Sequence, residues 1–220
     1  AYRLLNESLA ISRDLGNSWA IASSLNMLSL AAVAQGNYIE AQYLLREGLA
    51  HSQKLEDRYN IGVSLNGLGL VSQALADEEE AQRFFKESIV IWREIGDDGD
   101  LAQSLSNLGH SLLAEGKQDE AKPLFLEALN IAQSSEMLPV AIESLLGLAV
   151  LEARAGSLEL AMEMIKHILQ HPATLQDTKR RAEKLRFELN PQLSSQQVNE
   201  IKEGVNQQTL SDLVSKILIA

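Results

Sequence analysis

Two histidines spaced one helical turn apart come nearest, in this sequence, to a metal-binding arrangement. His167 and His171 lie four residues apart, and Glu163 lies one turn before them. Side chains at that spacing on a helix can share a zinc ion. However, His171 directly precedes Pro172 at an expected helix end, and no further ligand is evident. The sequence therefore predicts neither a metal site nor any other cofactor.

The other reactive side chains form no catalytic pattern. There is no Cys, and no phosphate-binding Gly-Lys-Ser/Thr loop, zinc-helix motif or nucleophile elbow occurs. The acidic runs at 77–80 and 97–100 have the positions of helix-start and loop charges. Carboxylates on such surfaces lack the enclosed pocket that acid–base catalysis needs. We therefore expect a protein that is not an enzyme.

The composition favours an all-α protein in the cytoplasm. The chain has 220 residues, of which 45% are hydrophobic and only 5% aromatic, and Leu and Ala recur throughout. The net charge of −11 repels nucleic acid and anionic membranes, so basic or neutral partners fit better. No segment approaches 18 uninterrupted apolar residues, and the first residues show no signal-peptide pattern.

An internal repeat of 40 residues runs through most of the chain. Two Leu columns begin each unit, at 25, 65, 105 and 145 and again three residues later. Four further columns follow in the same register: Gly36, Ala76, Gly116 and Gly156; Ala41, Ala81, Ala121 and Ala161; Leu45, Phe85, Phe125 and Ile165; and Leu49, Ile89, Leu129 and Leu169. Six aligned columns over four units indicate stacked copies of one structural unit.

Each column has a physical interpretation as part of a helix pair. The Leu pair, followed by a small residue such as Gly69, gives a first helix one apolar face that a neighbouring helix can approach closely. The Gly or Ala column marks the turn. The following Ala column allows the second helix to cross tightly, and the large residue four positions later fills the core between repeats. The pattern predicts helix–turn–helix repeats.

These columns resemble the tetratricopeptide repeat, with lengthened helices. The 40-residue form with Leu-Asn-x-Leu, as at residues 25–28, resembles repeats of kinesin light chains and of bacterial signalling regulators. The resemblance covers residues 1–172 and implies a right-handed α–α superhelix whose first helices line a concave groove.

The resemblance also implies which side chains face that groove. Asn26, Asn66 and Asn107 recur there, and each amide offers both a donor and an acceptor to the backbone of an extended peptide. An alternative is that these amides are solvated or cap local turns. The full set of predicted groove residues is Asn26, Asn66, Leu70, Gln73, Gln103, Ser106, Asn107, His110 and Arg154. The Lys/Arg clamp that some members use for a terminal carboxylate is missing, and Arg154 is the one groove cation.

The two ends of the chain depart from the repeat. Residues 1–17 align with the second helix at 41–57, so we expect an excised half repeat with more repeats upstream. After Pro172, a basic segment from Lys179 to Arg186 is expected to cap the stack or to dock an acidic surface. Two helical stretches, at 195–203 and 208–219, follow, and the apolar stripe of the second is expected to cover the last repeat. The predicted organisation is a solenoid at 1–172, with a half repeat at 1–17 and repeats at 18–57, 58–97, 98–137 and 138–177, and capping helices at 173–220.

Two functional hypotheses remain open at this stage. In the first, the groove binds a peptide, a partner domain or another domain of the same full-length chain, as an interaction or sensor scaffold. In the second, the superhelix binds a small-molecule inducer. The sequence after Asn190-Pro191 resembles the C-terminal ends of bacterial regulators that carry a nucleotide-switch ATPase before such repeats, which would place this chain in a sensor arm.

Overall fold

The computed structural model describes residues 2–194, residue 197 and residues 209–219. Within them, every regular element is helical, and the predicted all-α fold is confirmed. Packing divides the chain into two compact units, residues 1–111 and 112–220. The first unit contains α1 (Tyr2–Asp14), α2 (Ser18–Ala34), α3 (Tyr38–Lys54), α4 (Arg58–Ala74), α5 (Glu78–Ile95) and most of α6 (Asp98–Ala114). The second contains α7 (Gln118–Ser134), α8 (Leu138–Arg154), α9 (Leu158–Gln170), α10 (Gln176–Leu189), a short 3-10 helix (Asn190–Gln192) and α11 (Leu210–Ile219).

Side-chain caps fix where several helices begin. The side chain of Asn17 accepts a hydrogen bond from the amide of Ala20 at the start of α2. Asp57 and Asp77 accept equivalent bonds at the starts of α4 and α5. Such caps satisfy amides that the first helical turn leaves without partners. The acidic run at 77–80 therefore belongs to a helix start, as its position in the repeat predicts.

A residue in the left-handed backbone conformation separates successive helices at intervals of 20 residues. The turn column predicted from the sequence has positive φ throughout, including Ala76 at 61°. The turns between repeats show the same conformation. The full series with positive φ is Gly16, Gly36, Glu56, Ala76, Gly96, Gly116, Glu136 and Gly156. A residue with a Cβ is strained in this conformation, so three of the eight turns carry a local cost.

Replacing Ala76 by Gly is therefore expected to raise the free energy of unfolding by about 0.5–1 kcal/mol. Removing the Cβ relieves the backbone strain at φ 61°, and this gain exceeds the cost of the greater conformational freedom of the unfolded chain. Urea unfolding measures the change. Ala50→Gly, inside α3, is the matched control and should lower stability by a similar amount. Loss of stability in both variants would contradict the strain at Ala76.

The predicted columns form the core of the first unit. Leu25, Leu65, Leu28 and Leu68 are buried between consecutive helices. The Ala column is fully buried at Ala41 and Ala81. The large side chains pack against glycines of first helices: a Cβ added to Gly69 would lie 2.4 Å from Cε1 of Phe85, and one added to Gly67 would lie 2.8 Å from Cδ2 of Leu45. The small residues beside the Leu columns thus allow the close approach that the sequence predicts.

The second unit repeats this packing. Leu145, Leu148, Ala121 and Ala161 are buried, as are Phe125 and Ile165 in the large-residue column. A Cβ added to Gly147 of α8 would lie 2.3 Å from Cζ of Phe125 on α7. The order of contacts, with α8 between α7 and α9, is that of stacked helix pairs.

The C-terminal helix α11 lies against α7 and is linked to α9. The stripe on α11 buries Leu213 and Val214, and this helix lies against α7 of the repeat before the last. Gln133 of α7 donates hydrogen bonds to Ser211 and Ser215, and Nζ of Lys216 lies 3.8 Å from Glu163 of α9. The helix therefore contacts the repeat before the last, through α7, and reaches the last repeat through Glu163 of α9, and the expected cover of the last repeat stays a prediction. Most of the predicted stretch at 195–203 lies outside the described residues.

No helix in the described part of the chain is long and apolar enough to cross a membrane.

Candidate functional site

Three exposed aliphatic side chains lie on the first helices of the unit formed by residues 1–111. Met27 and Leu30 of α2 are 55% and 60% exposed, and Leu70 of α4 is 40% exposed. Leu30 and Leu70 occupy equivalent positions in consecutive repeats, and α2 packs against α4, so the two side chains lie on the same side of the stack. We call the surface formed by Met27, Leu30 and Leu70 the groove face.

Asn26, beside this face, points into the protein. Its side chain is 4% exposed. Nδ2 donates to Oδ1 of Asn60 at 3.2 Å, and Oδ1 accepts from Oγ of Ser64 at 2.9 Å. Both partners lie on α4, in the next repeat. The amide of Asn26 therefore links two consecutive first helices through buried hydrogen bonds, which are stronger than they would be in water.

Asn66 and Asn107 form a second link, between α4 and α6. Oδ1 of Asn66 accepts from Nδ2 of Asn107 at 3.1 Å and from Oγ of Ser104 at 3.2 Å. Nε2 of Gln103 donates to Oδ1 of Asn107 at 3.1 Å, while Oγ of Ser104 accepts from Nε1 of Trp92 at 3.1 Å. These bonds do not involve Nδ2 of Asn66 or Oε1 of Gln103, and both residues are half-buried. The network thus holds a donor and an acceptor in fixed positions beside the groove face.

The remaining predicted groove residues differ in their exposure and in their contacts. Gln73 is half-exposed at the end of α4, and His110 is half-exposed one turn before the end of α6. Ser106 is fully buried, and its Oγ has no hydrogen-bond partner. Arg154 belongs to the second unit, where Nη1 donates to the carbonyl oxygen of Leu113 at 3.2 Å. The structure brings together Asn66, Gln103 and Asn107, and it places Asn26 in a separate buried network. Ligand binding by the predicted set stays a prediction.

Sequence reasoning missed the serines that complete both networks. Ser64 and Ser104 belong to a 40-residue column that also contains Ser24 and Ser144. Each serine directly precedes the first Leu of its repeat. A small polar residue at a fixed offset from a buried Leu was the available signal, because a polar group in that position must find a partner inside the protein.

The two histidines considered for a metal site are involved in packing and hydrogen bonding within the protein. His167 is buried, and burial lowers the pKa of its imidazole. Nδ1 of His171 accepts a hydrogen bond from the amide of Ala173 at 3.2 Å, and the carboxylate of Glu163 lies 3.8 Å from Lys216. In the described residues, no group of three or more His, Cys, Asp or Glu side chains is arranged to hold a metal ion.

Family models match two stretches of the chain. Residues 60–134 and residues 21–55 each match a model of the tetratricopeptide repeat. The chain belongs to the tetratricopeptide-repeat family. Repeats of this family generally mediate protein–protein interaction and generally lack enzymatic activity. No protein with a curated function matches the chain in sequence.

Solved structures share the tetratricopeptide fold with this chain. BtubC (BKLC) from P. vanneervenii aligns with a TM-score of 0.72 at 16% identity, over 94% of this chain and 88% of that one. The nearly identical repeats of a Podosopora anserina protein, described as a kinesin light chain, align with a TM-score of 0.61 at 21% identity, over 84% of this chain and 93% of theirs. The predicted similarity to kinesin-light-chain repeats is confirmed at the level of the fold.

Proposed function

We propose that the groove face binds an extended peptide segment of a partner protein and that the chain acts as an interaction scaffold. The exposed row of Met27, Leu30 and Leu70 on the first helices of consecutive repeats carries this proposal. Covering such exposed aliphatic side chains is favourable, because burying one Leu fully contributes about 1.5–3 kcal/mol. In this binding mode they receive the apolar side chains of the peptide.

The half-buried amides supply the polar part of the site. Nδ2 of Asn66 can donate to a peptide carbonyl, and Oε1 of Gln103 can accept from a peptide amide. Their orientations are restricted by the bonds to Asn107 and Ser104, which lowers the entropy that binding would cost. A backbone-directed donor and acceptor beside apolar contacts suit an extended chain.

Charge limits the kind of peptide. Residues 1–111 contain 15 Asp and Glu residues against 8 Lys and Arg residues, whereas α2 carries no charged residue. The face itself is therefore uncharged, and the surrounding field attracts basic segments. A neutral or weakly basic peptide with spaced aliphatic residues fits both observations.

The experiment selects peptides from a displayed random library against the protein and measures their affinity for an Asn66→Ala, Gln103→Ala double variant. If both amides bond the peptide backbone, affinity falls by about 10-fold or more, since each lost bond contributes about 1 kcal/mol. The matched control replaces Gln42 and Gln53, both on α3, by Ala and should leave affinity unchanged. Equal affinity in all three proteins would contradict the role of the amides.

A further inference from the structure

The C-terminal helix α11 bridges two second helices of consecutive repeats. Nε2 of Gln133, on α7, donates to Oγ of Ser211 at 3.5 Å and to Oγ of Ser215 at 3.3 Å. Nζ of Lys216 lies 3.8 Å from the carboxylate of Glu163, on α9. These polar contacts are weak by their distances, so the position of α11 also depends on what lies beneath it.

His167 of α9 lies between these two contacts. It follows Glu163 by one helical turn, so both side chains project from the same side of α9. The 40-residue repeat gives its other neighbour. In the first unit the equivalent residue, Glu47, pairs with Arg13, and Arg13 is the equivalent of Gln133. By this equivalence His167 faces Gln133, and α11 bonds the residues on both sides of it.

His167 is the buried member of its repeat column, and one of its nitrogens has no partner. Glu47 and Glu127 are half-buried at the equivalent positions, and Glu87 is exposed, whereas His167 is only 7% exposed. Its Nε2 is buried and makes no hydrogen bond. A protonated imidazole carries a donor on each nitrogen, so protonation in this position would bury a charge and a donor without an acceptor. The enclosed imidazole is therefore held in its neutral form.

The charges around the imidazole do not compensate for its burial. Burial lowers the pKa of His167, and the nearby charges of Lys166 and His171 lower it further, while the carboxylate of Glu163 raises it. In the described part of the chain, all the charged groups that act on this imidazole belong to α9, and α7, α8, α10 and α11 add none. The neighbour on α7, Gln133, is neutral. Glu163 alone therefore favours protonation, and the net pKa remains lowered.

We infer that α11 is a pH-sensitive latch, which protonation of His167 releases from α7 and α9. Release lets water reach the imidazole, whose pKa then returns to its ordinary value of about 6.5. Because the pKa is lower in the docked state, docking is strongest above about pH 6.5 and weakens as the pH falls below that value. Release also exposes Leu213 and Val214, which are buried in the docked state. The latch uses only residues of the second unit and stands independently of the groove face.

The test measures hydrogen exchange of the full chain at pH 7.5 and 5.5, corrected for the intrinsic effect of pH on exchange. A helix of 10 residues is marginal in water by itself, so the amides of α11 exchange when it is released. Their protection should fall by about 3–10-fold at the lower pH in the unmodified protein. In His167→Gln, whose amide does not titrate, it should fall by less than about 2-fold. The matched control His171→Gln removes the other imidazole of this segment and should keep the full decrease.

NMR titration of the unmodified protein gives a readout that is independent of variant folding. The imidazole signals of His167 and the methyl signals of Leu213 and Val214 should change with one common midpoint, because protonation and release are a single event. The amides of α4, in the first unit, should keep their protection at both pH values. The inference is overturned if the midpoints differ, if α11 keeps its protection at pH 5.5, if His167→Gln loses as much protection as the unmodified protein, or if α4 loses as much as α11.

Discussion

Replacing Phe85 by Ala is expected to lower the free energy of unfolding by about 3–5 kcal/mol. The ring is fully buried, and deletion of such a ring leaves a cavity in addition to the lost transfer free energy. It lies between α5 and α4, where Gly69 gives it space. Urea unfolding followed by circular dichroism measures the loss. The side chain of Phe187, 80% exposed, is the matched control, and Phe187→Ala should change stability by less than about 0.5 kcal/mol.

The Phe85–Gly69 contact also predicts coupling between the two positions. Gly69→Ala places a Cβ 2.4 Å from the ring, and the resulting overpacking of about 1–3 kcal/mol exceeds the gain in helix propensity of about 1 kcal/mol. In a Phe85→Leu background the same change should cost little or stabilise. The repeat at 138–177 contains this relaxed combination, with Ala149 and Ile165 in the corresponding columns. An equal cost of Gly69→Ala in both backgrounds would show that the ring does not require the glycine.

Replacing Leu30 and Leu70 together by Asp is expected to weaken the binding of selected peptides by about 100-fold or more. Two Leu contacts contribute about 3 kcal/mol together if each is buried by the peptide, and burying an unpaired carboxylate adds a further penalty. Both side chains are exposed in the free protein, so stability should change by less than about 0.5 kcal/mol for each substitution. Isothermal titration calorimetry provides the affinities.

The control places the same charges on second helices. Tyr43 of α3 and Val90 of α5 are 69% and 53% exposed, and they lie outside the groove face. Tyr43→Asp with Val90→Asp should leave peptide affinity within about 3-fold of the unmodified protein. If this pair weakens binding as much as the Leu30 and Leu70 pair, the second helices contribute to the site and the groove face alone is insufficient.

The sequence specified the helix pairs because their determinants are local and periodic. The turn column requires a residue that accepts positive φ, and the Leu columns bury one face of each first helix. The Ala column and the large residue four positions later recur at every second helix. Each of these requirements acts within about 40 residues and recurs in every unit, so the pattern is visible without coordinates.

The orientation of the Asn side chains depends on contacts that recurrence alone does not reveal. Asn26 and Asn66 occupy equivalent positions, yet Asn26 bonds Asn60 and Ser64 whereas Asn66 bonds Ser104 and Asn107. The difference arises from the partners in the following repeat, where Asn60 is replaced by Asp100. An Asn beside the groove can therefore bond side chains of the next repeat. Which side chains it bonds depends on residues 34–41 positions further along the sequence.

The position of α11 was also beyond sequence reasoning. Its contacts with Gln133 join residues about 80 positions apart, and the last part of the intervening chain, after residue 177, follows no repeat. Hydrophobic spacing predicts that Leu213 and Val214 are buried, but several helices offer apolar surface that could cover them. The stripe therefore predicts a buried face and leaves its location undetermined.

Photo-crosslinking tests the role of the groove face most directly. Peptides selected against the protein are synthesised with a photoreactive group at each apolar position, and crosslinked residues are identified by mass spectrometry. The account predicts crosslinks to Met27, Leu30 and Leu70 of the first helices. Crosslinks confined to outward residues of the second helices, such as Tyr43 and Val90, would contradict it.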